Sequence, residues 1–195
     1  MQSNIIKITG ESESIEKILC ETQKTAKYAE LNAKQSMRTR LIAEELIGLL
    51  KELSANFDGD FWIEQENLSF TFFTQLELNE NMDKQTKKKF IDISSDKKNA
   101  SAVGIMGKIQ DVVENLLYPE NAVYSTDFIA HQLETAVLMD DSWTLSRYKD
   151  SQKENTDQWD ELEKSIIANL ADDVTVSVKG NKVEIAIIKD FNQEK

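Results

Sequence analysis

The stretch DVTVSVKGNKVEIAIIKDF, residues 173–191, decides the fold class. Apolar side chains alternate along it on both sides of a Gly-Asn pair, at Val174, Val176, Val178, Val183, Ile185 and Ile187. A repeat of two is the period of a strand with one buried face, and Gly180 and Asn181 can both take the positive φ of a two-residue turn. The stretch therefore predicts a β-hairpin that gives one face to a core.

The period of two for strands and the period of about 3.6 for helices predict the other elements upstream of this hairpin. Strands are predicted over 4–9, 61–65, 68–78 and within 140–148. Helices are predicted over about 14–30, 34–55, 82–92, 103–117 and 155–170. We also expect a turn over 56–60, a bulge at 72–73 and Cys20 in the core side of the first helix. This order predicts an α+β fold, a two-layer sandwich of one mixed or antiparallel sheet with helices on one face.

The composition limits the partners and the compartment. Acidic residues number 35 and basic residues 23, for a formal charge of −12, so nucleic acid and anionic membranes would be repelled. No apolar run approaches the roughly 20 residues that span a bilayer. The single Cys20 excludes a disulfide within the chain and favours the cytoplasm. With one histidine, His131, no His/Cys metal cluster can form, and no metal site is expected.

The second predicted helix contains two acids in the apolar segment RLIAEELIGLL. Glu44 and Glu45 can lie on the solvated side of an amphipathic helix, or one of them can act as a base that polarises a water. Gly48 follows in the same helix, where glycine costs roughly 1 kcal/mol relative to alanine. Close packing against the sheet is the simpler explanation for this glycine, and room for a ligand is the other.

The segment SSDKKNASAVGIMGKI, residues 94–109, leads from small polar residues into an apolar helical pattern. Helix N-termini attract anions, and Lys97, Lys98 and Lys108 would add positive charge. However, neither GxxxxGK[ST] nor GxGxxG is present, and Ser101 can cap the helix by itself. From its residues alone, the segment is either a phosphate-binding loop or an ordinary capped helix.

Three local patterns, taken with the order of elements, resemble the histidine-kinase-type ATPase fold, the GHKL family. RLIAEELIGLL resembles the helix that carries the family's Glu-x-x-x-Asn magnesium motif. VGIMGKI resembles the glycine-containing phosphate box after the ATP lid, and DDVTVSVKGNKVEIAIIKDF resembles the final strand pair of the anti-sigma serine kinases. The whole chain is also similar to a group of clostridial proteins labelled ATP-binding.

The resemblance implies one ATPase-like domain over 1–195, with an inserted or extended region at about 119–170. It implies ATP and Mg²⁺ as cofactors and Glu44 or Glu45 as the catalytic base. The nucleotide-binding residues that it implies are Asn79, Asp96, Lys97, Lys98, Asn99, Gly104, Gly107 and Lys108.

Two departures from the family pattern shape the functional prediction. Gly48 stands at the position of the magnesium asparagine, and LNENMD, with Asn79, replaces the DxGxG box whose aspartate binds adenine. We therefore expect a degenerate ATPase fold with weak or no nucleotide turnover, acting as a regulatory protein that binds a protein partner through residues 119–150 and can form a homodimer. Two alternatives stay open: a functional ATP-binding protein, such as an anti-sigma-like serine kinase, and an unrelated α+β module.

Overall fold

The computed structural model of the chain describes residues 1–8, 12–53, 57–78, 142–152, 166–179 and 182–192. The helices in this part of the chain are α1 (Ser12–Tyr28), α2 (Ala33–Leu53), α3 (Leu145–Gln152) and α4 (Ile166–Leu170). The strands are β1 (Ile6–Ile8), β2 (Phe57–Glu66), β3 (Ser69–Leu78), β4 (Ser142–Thr144), β5 (Asp173–Lys179) and β6 (Lys182–Asp190). The predicted helices over 82–92 and 103–117 lie outside the described residues, as does most of the one over 155–170.

The described strands form one sheet in the order β1-β2-β3-β6-β5-β4, and every pairing is antiparallel. The predicted terminal hairpin is confirmed, because β5 and β6 pair along their length up to Lys179 opposite Lys182. The Gly180-Asn181 turn itself lies outside the described residues. The chain is thus an α+β protein, as predicted, and its sheet is antiparallel rather than mixed over the strands described.

One face of this sheet, which we call the inner face, supplies all of the strand residues in the buried core. Phe61, Phe72 and Ile185 on this face are fully buried, and they share the core with Ile18 of α1 and Leu46 of α2. Burial of an aliphatic or aromatic side chain of this size contributes roughly 1.5–3 kcal/mol. The helices therefore pack on the inner face, and none of their described lengths is long and apolar enough to cross a membrane.

The prediction that Cys20 lies in the core is wrong, since its side chain is exposed. The buried side of α1 instead includes two threonines. The Thr22 hydroxyl donates to the backbone oxygen of Ile18 at 2.9 Å, and the Thr25 hydroxyl donates to that of Glu21 at 2.9 Å. A hydroxyl that donates a hydrogen bond to a carbonyl of the preceding helical turn can be buried at little cost. The two threonines therefore lie on the buried side of α1, where Cys20 was predicted.

The predicted turn over 56–60 is also wrong, because Phe57–Asp60 belong to β2. Gly59 faces the core between Ile8 of β1 and Leu76 of β3. A Cβ at this position would lie 2.5 Å from Leu76 Cδ2 and 2.8 Å from the backbone oxygen of Gln75. The glycine therefore marks a close approach of neighbouring strands rather than a change of direction.

The register contains a bulge, but not at the predicted place. Pairing of β3 with β2 and with β6 runs without interruption through Phe72 and Phe73. The extra residue lies in the edge segment before β1, where Gln2 faces Glu64 while Ile6 faces Phe61. Bulges are common at sheet edges, where they disturb a ladder that a second chain could otherwise join.

The segment SWTLSRY is only partly the predicted strand. Ser142–Thr144 form β4, and the chain then turns at once into α3. The Thr144 hydroxyl accepts a hydrogen bond from the backbone N–H of Arg147 at 3.3 Å, and Asp173 Oδ1 accepts one from that of Ser146 at 3.0 Å. Thr144 is thus an N-cap, which ends the strand and begins the helix.

Two complementary caps set the turn between α1 and α2. Glu30 has a φ of 54°, and the N–H groups of Glu30 and Leu31 donate to the carbonyls of Lys27 and Ala26, each at 3.1 Å. This pattern is a Schellman motif with Glu30 in the left-handed position. Asn32 and Gln35 then form a reciprocal capping box, with side chain-to-backbone bonds of 3.0 and 3.1 Å. These caps fix the direction of α2 and hence the placement of the residues along it.

Candidate functional site

The predicted acids lie on the side of α2 that turns away from its core stripe. Ile42 and Leu46 are fully buried, whereas Glu44 is exposed and Glu45 is half-buried. Helix residues three and four positions apart are neighbours on the surface, so Gly48 lies beside both acids. The structure therefore brings together three of the predicted positions on one side of one helix.

Glu44 forms an ion pair with Arg40, one turn earlier in α2, at 2.8 Å between Arg40 Nε and Glu44 Oε1. The two side chains are 46% and 40% exposed, so water and salt screen their attraction. The pair holds the Glu44 carboxylate along the helix, toward its N-terminal side. Glu44 is consequently less available as a base than its sequence position suggests.

Glu45 is in a different environment. Partial burial raises the pKa of its carboxyl group, and the negative charge of Glu44 raises this pKa further. Within the described part of the chain, Glu45 has no hydrogen-bond or ion-pair partner. A carboxylate with a raised pKa is a stronger base than an ordinary one, which is the property that general-base catalysis requires.

Gly48 does not pack closely against the sheet, which corrects the simpler of its two explanations. The residue is exposed, and a Cβ built on it would have no heavy atom of the described residues within 4 Å apart from its chain neighbours and the backbone of its own helix. The glycine therefore leaves open space beside Glu44 and Glu45. A larger side chain would fit there without displacing anything that the structure describes.

The remaining predicted site residues lie outside the described part of the chain. They are Asn79, Asp96, Lys97, Lys98, Asn99, Gly104, Gly107 and Lys108. Asn79 directly follows Leu78, the last residue of β3. Of the predicted partner-binding region 119–150, only 142–150 is described, and it contains β4 and most of α3. No three His, Cys, Asp or Glu side chains in the described ranges are grouped as a metal site would require.

Sequence reasoning missed an aromatic pair on the opposite side of the sheet. Trp62 and Phe73 stack with ring centroids 5.1 Å apart and planes 11° from parallel. The signal was present in the adjacent residues Phe72 and Phe73, since consecutive residues of a strand point to opposite faces. Two aromatic residues in succession therefore placed one aromatic ring on each face of β3.

Comparisons with known proteins do not assign the chain to a family. No protein-family model matches the chain, and neither a curated protein nor a solved structure matches it. The class that the described residues define is an α+β protein with a six-stranded antiparallel sheet and helices against its inner face.

Proposed function

We propose that the chain is a degenerate member of the histidine-kinase-type ATPase fold that works as a regulatory, protein-binding module with weak or no nucleotide turnover. The order of the described elements supports this proposal: a strand, two helices, two strands and, later in the chain, an antiparallel strand pair. The acids Glu44 and Glu45 lie on the second of these helices, as in the family's magnesium motif.

The observation that carries the proposal is the open space at Gly48. In the family, an asparagine four residues after the glutamate orients Mg²⁺, and here that position has no side chain and no neighbour among the described residues to replace it. Phosphoryl transfer depends mainly on placing the metal and the charges around the triphosphate. A helix that offers no metal ligand at this point is expected to hold a nucleotide weakly and to turn it over slowly.

A functional ATP-binding protein is the second candidate, and the state of Glu45 favours it. Burial and the charge of Glu44 raise the pKa of Glu45, as a base that activates a water or a hydroxyl would need. The open space at Gly48 would then be occupied by ligand rather than left empty. This candidate predicts nucleotide binding by the unmodified protein, whereas the degenerate fold does not.

Thermal unfolding with millimolar ATP and Mg²⁺ separates the two candidates. A ligand at 100 times its Kd adds roughly 2.7 kcal/mol to the stability of the folded state. For a domain of this size, that gain raises Tm by about 5–10 °C. We expect no such rise for the unmodified protein, and a rise of this size would support the ATP-binding candidate instead.

The variant Gly48→Asn restores the family's spacing from Glu44 and tests whether position 48 can hold the family's magnesium ligand. We expect it to gain a Tm shift with ATP that requires Mg²⁺. The matched control Gly48→Ala adds a Cβ and helix propensity but no ligand, so its Tm should not respond to nucleotide. A Gly48→Asn variant that responds no more than the alanine variant would count against position 48 as the site of the family's magnesium ligand.

The protein-binding part of the proposal needs a deletion that spares the sheet. Trp143 is buried and β4 pairs with β5, so removing 142–150 would damage the core itself. Replacing only 119–141 with a short Gly/Ser linker leaves both in place. A variant that keeps the wild-type Tm and loses partners from a pull-down would support partner binding through this region, and one that keeps every partner would refute it.

A further inference from the structure

The second face of the sheet, which we call the outer face, carries a surface that the proposed function leaves unexplained. The described part of the outer face contributes no residue to the buried core. At its centre lie Trp62 of β2 and Phe73 of β3, which are directly opposite each other in the register. Ala186 of β6 is opposite Phe73, and Ile188 is the next residue of β6 on this face.

The aromatic pair is held in a fixed arrangement. The rings stack at 5.1 Å, and Trp62 Nε1 donates a hydrogen bond to Glu64 Oε1 at 3.2 Å. Both rings are only half-buried, so apolar surface remains open to water. Rigid tryptophan and phenylalanine side chains at the centre of a surface are typical anchors of protein–protein interfaces, where tryptophan is over-represented among the residues that dominate binding.

Acidic side chains surround this apolar centre. The acids of the outer face are Asp58, Asp60, Glu64, Glu66, Glu77, Asp173, Glu184 and Asp190. Its lysines are fewer, and two of them already face acids: Lys7 Nζ lies 2.8 Å from Asp60, and Lys182 Nζ lies 3.7 Å from Glu77. The outer face therefore has an apolar centre and an excess of negative charge around it.

We propose that the outer face docks a basic segment of a partner protein, with an apolar side chain on the Trp62–Phe73 stack and lysines or arginines against the surrounding acids. Charge complementarity selects this occupant. A second copy of the chain would bring the same excess of acid against itself, and nucleic acid would be repelled. The outer face is opposite the face that packs against α2, the helix of Glu44 and Glu45, so the proposal does not depend on the ATPase fold assignment.

The test measures fluorescence anisotropy of a labelled lysine-rich peptide, about ten residues long, with one central leucine. A second peptide has serine in place of the leucine. Both are titrated with the full chain and with Trp62→Thr, a variant whose β-branched residue suits a strand. The four dissociation constants form a double-mutant cycle between the peptide's leucine and Trp62.

If the proposal is right, replacing leucine by serine weakens binding to the wild-type chain by roughly tenfold and changes binding to Trp62→Thr far less. Met37→Ala, which removes an exposed apolar side chain from α2, should bind like the wild type. Equal effects of the leucine on the wild type and on Trp62→Thr, or no binding of either peptide, would overturn the proposal.

The acidic surround is tested by variants that leave the stack untouched, which also covers the case in which Trp62→Thr does not fold. Glu184→Gln should weaken peptide binding and reduce its dependence on salt, because exposed charges are screened within about 10 Å at 0.1 M ionic strength. Glu16→Gln removes an exposed acid from α1 and serves as the matched control. Equal losses in the two variants would mean that the chain binds basic peptides through its overall charge, and the proposal would be wrong.

Discussion

Replacing each of two glycines by alanine should change stability in opposite directions. At Gly59, the new Cβ would lie 2.5 Å from Leu76 Cδ2, 2.8 Å from the backbone oxygen of Gln75 and 3.4 Å from Ile8 Cδ1. The leucine methyl can rotate away, but the backbone oxygen belongs to the β2–β3 ladder and cannot move without disturbing it. Overpacking of this kind costs roughly 1–3 kcal/mol.

Part of the cost at Gly59 is offset in the unfolded state. Removing a glycine from a strand recovers roughly 0.5–1 kcal/mol of conformational entropy. Both close contacts are under 3.0 Å, which places the overpacking cost in the upper part of its range, about 2–3 kcal/mol. The net loss in the free energy of unfolding is therefore about 1–2.5 kcal/mol. For a chain of this size, that loss lowers Tm by roughly 2–10 °C.

At Gly48 the same substitution meets nothing within 4 Å, so only the gain in helix propensity remains. That gain is about 1 kcal/mol, or a rise in Tm of roughly 2–4 °C. Urea and thermal unfolding followed by circular dichroism would measure both variants against the wild type. If Gly59→Ala were at least as stable as the wild type, the close strand contact at Gly59 would be refuted. A loss of stability in Gly48→Ala would instead refute the open space at Gly48.

Three further predictions concern α1 and α2. Glu30→Gly should raise the free energy of unfolding by roughly 1 kcal/mol, because glycine takes the left-handed conformation without a Cβ penalty; a destabilised variant would argue against the Schellman motif. Asn32→Ala should lower that free energy by about 1 kcal/mol through loss of the cap of α2, whereas Asn32→Asp should keep most of it. The folded-state pKa of Glu45 is raised, so the native state holds this proton more tightly and stability falls as pH rises through that pKa. Glu45→Gln should therefore be more stable than the wild type at about pH 7 and lose that advantage near pH 3, as measured by urea unfolding; an advantage independent of pH would contradict the raised pKa.

The terminal hairpin was predictable because its local pattern and its tertiary role agree. Alternating valines and isoleucines form the inner face of β5 and β6, and a two-residue connection joins them. The start of β2 was not predictable in this way. The segment 56–60 around Gly59 has the composition of a turn. Only the close contact of Gly59 with β3 shows that this glycine lies inside a strand.

The candidate site was also predictable only where a local pattern decides the position of a residue. Helical periodicity correctly placed Glu44 on the solvated side of α2, since nearby Ile42 and Leu46 define the core stripe. The half-burial of Glu45 and the open space at Gly48 depend on which other parts of the chain pack beside α2 and which do not. Such distant neighbours are not encoded within one turn of helix, so periodicity could not distinguish the two acids.

The position of β6 in the sheet has a consequence for how the fold is reached. The strand order places β6 beside β3, so Ser69 pairs with Asp190 across most of the length of the chain. Pairings within each half of the sheet join residues that are closer in sequence, such as Ile6 with Phe61 and Trp143 with Val176. The β3–β6 ladder has the higher contact order, so the two halves join late, after a costly loop closure. Until β6 pairs with it, β3 is an unpaired apolar edge strand to which other chains can bind. Separately produced fragments 1–78 and 142–195 should reassociate through this ladder, and the first fragment alone should aggregate.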